Sequence, residues 1–334
     1  MATSWIALSG HTPLGLWGWG AAAGIAWLAY WARALSPSGA WAAWVVGGVL
    51  LGWGGWAWGV VLLAFFVSSS ALSRWAQARR HAGIEKFAKG SRRDAGQVLA
   101  NGGWPTLVVI ARALGWLDPA QAWLLGTAAL AAANADTWAT EIGVFHPRPR
   151  WLLVGRPVAP GTSGGMSSWG TLAAVLGAAW IAAWAVALAP MGAAWPLGLA
   201  VGTGGIVGAG VDSLLGATLQ GMYYCPTCRK ETEQHPIHRT CGTATQWRRG
   251  WRWMTNDVVN ALAIASAMLW AWGMGHFLWS GSIANAALAA LGGPCSRSTS
   301  PGPPRTQAGR LAGTPRGGSS HGEPRFRLRR LADR

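Results

Sequence analysis

Five stretches of this chain, residues 14–31, 120–139, 169–188, 195–219 and 258–274, approach the ~20 apolar residues that cross a bilayer as a helix. Hydrophobic residues make up 51% of the sequence and charged residues 11%, so the chain reads as a membrane protein. Residues 98–114 form a weaker segment, with Asn101, Gly102, Gly103 and Pro105 in its first turns. Residues 40–67 are long for one span and short for two, which suggests a hairpin of short helices or a re-entrant pair. The expected fold class is an all-α polytopic bundle of about eight membrane segments, with a poorly apolar ninth at 276–291. No Lys or Arg precedes the first apolar run, so no cleaved signal peptide is expected.

Loop charge predicts an orientation. Of the 18 Lys and Arg before residue 293, 17 fall on one side if residues 40–67 turn back, and only Arg112 falls on the other. The positive-inside rule then places loops 72–97, 140–168 and 220–256 in the cytoplasm and the N-terminus outside. The membrane domain spans 1–292. Residues 293–334 are rich in Pro, Gly, Ser and Arg, a composition that buries no core, and they read as a disordered basic tail. The basic balance does not point to nucleic acid, because topology and anionic lipid headgroups account for loop cations.

The 11 Asp and Glu are placed more informatively than the cations. Asp94, Asp136, Glu141, Asp212 and Asp257 lie in or beside apolar segments, where an acid is a functional-site hypothesis by default. Five polar runs accompany them at residues 91–103, 135–143, 161–171, 212–220 and 255–260. With the orientation above, all five reach the same face, so one polar site is expected. Asp136 and Thr140 are four apart and share a helix face, as do Thr137 and Glu141. Carboxylates with hydroxyl neighbours suit Mg2+, held by Asp136 and Glu141 with Asp212 as a further ligand. Asp94 and Asp257 join Asp136 and Glu141 as candidate catalytic acids; the alternative for each acid is charge neutralisation by arginine or helix capping.

Residues 161–171 (GTSGGMSSWGT) read as a phosphate cradle before a helix N-terminus. Gly161, Thr162, Ser163, Gly164, Gly165 and Ser167 are its binding residues, with Arg156 upstream to neutralise charge; a flexible turn and cap is the plainer reading. Asn101, Asn256 and Asn260 add amides to the site or simply join helices. Cys225, Cys228, His238 and Cys241 carry ligand types and spacing suited to a structural Zn2+. Reduced, unligated thiols are the alternative in a cytosolic loop.

Taken together, residues 92–103 (RRDAGQVLANGG), 135–143 (ADTWATEIG), 161–171, 212–220 (DSLLGATLQ), the YYCPTC run and TNDVVN resemble the domain of unknown function 92 family, also called the transmembrane protein 19 family. The resemblance covers about residues 14–275. Small departures are Thr140, often Ser in the family, Met166 for Val and Arg156 for Lys. A plant relative is regarded as a phytyl-phosphate kinase, and neighbouring membrane kinases use CTP. The resemblance therefore implies transfer of phosphate from a nucleoside triphosphate to an isoprenyl monophosphate among membrane lipids. A transporter or channel for an ion or lipid is the rival expectation, since intramembrane acids and glycine-broken helices also mark transport paths. A scaffold that recruits a partner through its zinc loop is a third.

Overall fold

The computed structural model describes residues 11–79, 92–146, 148–152, 155–158, 162–190 and 194–291. Among them are eight α-helices: α1 Leu16–Trp31, α2 Pro37–Val49, α3 Trp56–Arg79, α4 Ala95–Ala113, α5 Pro119–Gly143, α6 Ser168–Ala187, α7 Ala194–Thr218 and α8 Asn256–Leu291. Four of these contain stretches long and apolar enough to cross a membrane: Trp56–Arg79, Ser168–Ala187, Trp195–Thr218 and Asn256–Trp279. The helices present large apolar side chains outward, on α1 as well as on α8. Leu16 and Trp17 are 88% exposed and Phe277 is 74% exposed, positions that suit lipid and not water.

Helix starts follow local chemistry. Asp118 caps α5 through the Ala120 and Gln121 amides, with Gln121 returning a bond to the Asp118 amide and Pro119 opening the helix. Ser36 with Pro37, and Ser167, cap α2 and α6 in the same manner. The 40–67 stretch resolves into two helices. A π-helical turn, Leu50–Gly54, ends α2, and Gly55 adopts φ +99° before α3 starts. Only glycine takes that conformation at little cost. α3 then runs on through Arg74 to Arg79, well past the apolar limit at Val67.

The buried centre is α5, which packs against α6, α7, α4 and α3. Ala128 to Ala135 are buried without interruption. Asn134 sits among them with every side-chain atom used: its Oδ1 accepts from Ser68 and Ser69 of α3, and its Nδ2 donates to Gly177 O of α6. α7 approaches through glycine. A Cβ on Gly205 would stand 2.9 Å from Ala178 Cβ and 3.0 Å from Ala131 Cβ, and one on Gly208 would stand 2.7 Å from Ala132 Cβ. Small residues let membrane helices meet at this range. Gly205→Leu is therefore expected to abolish the monodisperse peak in size-exclusion chromatography of detergent-solubilised protein. Gly24→Leu on α1, where a Cβ meets nothing within 4 Å, is expected to leave it intact; equal behaviour of the two variants would contradict this packing.

Two features differ from the sequence expectation. The stretch expected as a ninth segment, 276–291, continues α8 as one helix, because no residue between the two apolar halves breaks the hydrogen-bond ladder. The chain is not wholly α-helical: β1 Arg150–Trp151 pairs with β2 Gly165–Met166, and β3 Met222–Cys225 is flanked by β4 Lys230–Thr232 and β5 Gln246–Arg249 in an antiparallel sheet. These strands are too short and polar to show a period of two. The basic tail at 293–334 lies outside the described residues.

Candidate functional site

Residues of the five polar runs line one cavity of about 660 Å³. α4 and the residue before its cap supply Arg93, Gln97 and Asn101, the end of α5 supplies Asp136 to Glu141, and the 162–171 run supplies the rim beside α6. The end of α7 brings Asp212 and Ser213, and the start of α8 brings Asn256, Asp257 and Asn260. The segment between α7 and α8 closes the ring with Gln220, Glu233, Arg239 and Arg252.

The acids divide by direction. Asp136 and Glu141 are five residues apart, which puts them roughly 140° apart around a helix. Asp136 turns toward α7, where its carboxylate meets that of Asp212. Asp212 Oδ2 is buried and has no hydrogen-bond partner among the described residues. Glu141, 3% exposed, turns toward α3: its Oε1 accepts from the buried Ser73 hydroxyl at 2.7 Å. The Arg93 guanidinium stands in the field of Glu141 and lies over the Phe65 and Phe66 rings at 5.3 and 5.5 Å. Burial pulls Arg93 down to about 10, against the opposing pull of Glu141, so it remains a cation at neutral pH. Of the three carboxylates expected as one Mg2+ set, all line the cavity; Asp136 meets Asp212, and Glu141, within range of the Asp136 charge, also engages Ser73 and Arg93.

Asp94 does not line the cavity. It is the N-cap of α4, accepting from the Gln97 amide at 3.0 Å while Gln97 Oε1 accepts from the Asp94 amide. Arg156 also lies away from the lining; its carbonyl accepts from the Trp151 amide in the β1 turn, and Arg150 donates to Gly155 O. Among the described residues, the arginines that line the cavity are Arg93, Arg239 and Arg252.

Gly161 lies outside the described residues, and the rest of its run is a tight turn as much as a cradle. The Gly165 amide donates to Thr162 O, Ser163 Oγ donates to Gln220 Oε1 at 2.7 Å, and Ser167 Oγ caps α6 by accepting from the Gly170 amide. Gly164 has φ +78°, and a Cβ there would come within 2.4 Å of Ala217 Cα. The turn therefore sits directly on the end of α7, next to Asp212. Gln220 extends the contact by donating to Glu233 Oε1 at 2.8 Å.

Cys225, Cys228, His238 and Cys241 come together beyond the β3–β4 turn, with all four ligand atoms within 4.8 Å of one another. Hydrogen bonds with Thr243 and then His238 draw the Cys241 thiol down to about 6. The Cys228 thiol, hydrogen-bonded to Cys241, is pushed up to about 11.

Sequence reasoning missed Ser73, Gln220, Glu233, Arg239 and Arg252. Gln220 ends a polar run and was visible as such. The other four reach the cavity only through tertiary folding.

A second, apolar crevice of about 70 Å³ lies among α1, α2, α3 and α4 and shares Arg93, Gln97 and Asn101 with the polar cavity. No solved structure matches the chain. It is 31% identical over 199 residues to Protein PGR of Arabidopsis thaliana, covering 53% of this chain and 69% of the relative. It is 32% identical over 192 residues to an uncharacterised membrane protein of Methanocaldococcus jannaschii, covering 56% and 76%. A third similar protein, an uncharacterised membrane protein of a Synechocystis strain, is 29% identical over 247 residues, covering 69% and 78%. Residues 20–268, most of the helical core and the whole of the described cavity, match the family described as integral membrane protein DUF92, and the chain belongs to that family.

Proposed function

We propose that this protein is a membrane phosphotransferase that moves the γ-phosphoryl group of a nucleoside triphosphate onto an isoprenyl monophosphate at the cytoplasmic face. The observation that carries the reading is the junction of the two cavities. A polar chamber holding carboxylates and arginines lies against an apolar crevice among helices, the two sharing Arg93, Gln97 and Asn101. An amphiphile with an anionic head and a single apolar chain fits that junction, the crevice receiving the start of the chain. The cytoplasmic orientation of the chamber follows from loop charge.

The cavity charge also supports the reading. Among the described residues that line the cavity, Asp136, Glu141, Asp212, Glu233 and Asp257 stand against Arg93, Arg239 and Arg252, five acids to three arginines. An excess of carboxylate repels phosphate unless a divalent cation accompanies it. The buried, unpartnered Asp212 Oδ2 facing Asp136 fits such a cation, and these two residues would hold Mg2+. When bound, Mg2+ neutralises and orients phosphate oxygens.

A phosphate acceptor needs little from a base. A monophosphate ester with a second pKa of ~6 is already largely a dianion at neutral pH. One of its oxygens bonds to the γ-phosphorus as the bond from that phosphorus to the β–γ bridging oxygen breaks. The nucleoside diphosphate leaves with the electron pair. The protein contributes position and charge, which dominate phosphoryl transfer: Arg93 at the lipid head, Arg239 and Arg252 on the donor phosphates, and Asn256 and Asn260 at the α8 N-terminus as further donors.

The test is label transfer from γ-labelled CTP and ATP to phytyl and geranylgeranyl monophosphates in membranes containing this protein. Mg2+-dependent labelling of a lipid diphosphate is the expected result. No labelling by folded protein with accessible lipid would overturn the assignment and turn attention to flux in proteoliposomes.

A further inference from the structure

Two segments of the loop between α7 and α8 adopt a similar local form. In the first, Cys225 ends β3, Cys228 follows three residues later, and Arg229 takes φ +51°. In the second, His238 and Cys241 have the same spacing, and Gly242 takes φ +69°. Each is a tight knuckle: the Cys228 amide points to Cys225 Sγ at 3.5 Å, and the Cys241 and Gly242 amides return to His238 O. A non-glycine residue at positive φ is uncommon, so Arg229 marks a turn held by something beyond local preference. The knuckles face each other, with Thr227 and Thr243 hydroxyls 2.8 Å apart across the gap.

The gap has the dimensions of an ion. Cys225 Sγ to Cys241 Sγ is 3.4 Å, and His238 Nδ1 lies 3.5 Å from Cys228 Sγ and 3.2 Å from Cys241 Sγ. A tetrahedral Zn2+ with bonds of ~2.0–2.3 Å separates its ligand atoms by about 3.4–3.8 Å. The three cysteines are unbridged. Three thiolates and one imidazole select zinc over hard cations and leave no open position for substrate.

We infer that Cys225, Cys228, His238 and Cys241 hold one structural Zn2+ ion, and that this ion fixes one wall of the polar cavity. The chain between the two knuckles supplies Glu233, Gln234, His235 and Ile237 to the cavity lining, and Arg239 lies between the last two ligands. This segment forms only the three-residue strand β4 and buries few apolar side chains, so it has little else to order it. Its other end is already anchored: Arg249 donates to Gly216 O and Ala217 O at the end of α7, and Arg248 pairs with Glu231 at 2.9 Å. The metal closes the open end. Glu233 is thereby held where it accepts from Gln220, which in turn accepts from Ser163 of the glycine turn. This centre stands whether or not the cavity transfers phosphate.

The test uses the full chain purified in detergent without chelators, with metal measured by inductively coupled plasma mass spectrometry. One zinc per chain is expected, falling at least tenfold in Cys225→Ser and Cys241→Ser. Cobalt exchanged into the wild type is expected to give the absorption of a tetrahedral thiolate site. Iron or copper in place of zinc, a Cys225–Cys241 disulfide in protein from reducing cytoplasm, or full zinc content in both variants would overturn the site. Because a variant can fail to fold, the wall is tested on folded wild type. Stripping zinc with a chelator is expected to raise hydrogen exchange at least tenfold across 229–241 while α5 and α7 stay protected. Unchanged exchange there would overturn the role in the cavity.

Discussion

Asp136→Asn is expected to cut phosphoryl transfer by about 10²–10³-fold or more, the usual scale for removing a group that stabilises transition-state charge. The same substitution is expected to leave the folded protein as stable as wild type or more so. Both outcomes have one cause. Asp136 and Asp212 face each other across the α5–α7 contact, and Asp212 Oδ2 has no hydrogen-bond partner among the described residues. Two carboxylates so placed repel each other, and a buried acceptor without a donor costs about 1–3 kcal/mol. Asparagine removes one charge and supplies an amide donor for the other acid, so the fold gains where the chemistry loses. The measurements are label transfer from γ-labelled donor and thermal unfolding of the purified protein with and without Mg2+. Mg2+ is expected to raise the unfolding temperature of wild type and not of the variant. Undiminished transfer by the variant would remove Asp136 from the mechanism.

The helices were legible because apolar stretches announce themselves by length, and the break at Gly55 was foreshadowed by a stretch too long for one span. About eight membrane segments were expected, whereas four of the described helices are long and apolar enough to cross a membrane. Asp94 shows where the reading overreached. Asp94 and Gln97 have the same spacing as Asp118 and Gln121, and both pairs close capping boxes. Both pairs act as helix caps, and Gln97 lines the cavity as well. The clustering of Cys225, Cys228, His238 and Cys241 was legible because their residue types and spacing suit one centre. The cavity wall they support was not, since Glu233 and Arg239 look like ordinary solvated charges in a polar loop. Only folding of the 220–255 segment back over the helix ends brings them inward. Arg156, close in sequence to the glycine run, turns its carbonyl to the Trp151 amide and is not among the residues that line the cavity.

Glu141, five residues from Asp136 in the same run, is expected to behave in the opposite way. Its carboxylate is buried, accepts from Ser73 at 2.7 Å and neutralises the half-buried Arg93. Glu141→Ala strands the Ser73 hydroxyl and leaves Arg93 against Phe65 and Phe66 without its counter-charge. The loss is expected to be about 1–3 kcal/mol for the unsatisfied groups, read as a lowered unfolding temperature and a shifted denaturant midpoint. Glu141→Gln keeps an acceptor for Ser73 and is expected to lose less. Ser73→Ala in the Glu141→Ala background is expected to cost less than in wild type, the signature of a shared interaction in a double-mutant cycle. If instead Glu141→Ala unfolds like wild type but transfers no phosphate, Glu141 belongs with Asp136 and Asp212 in the metal site. The division of these acids into one that works and one that holds the helices together would then be wrong.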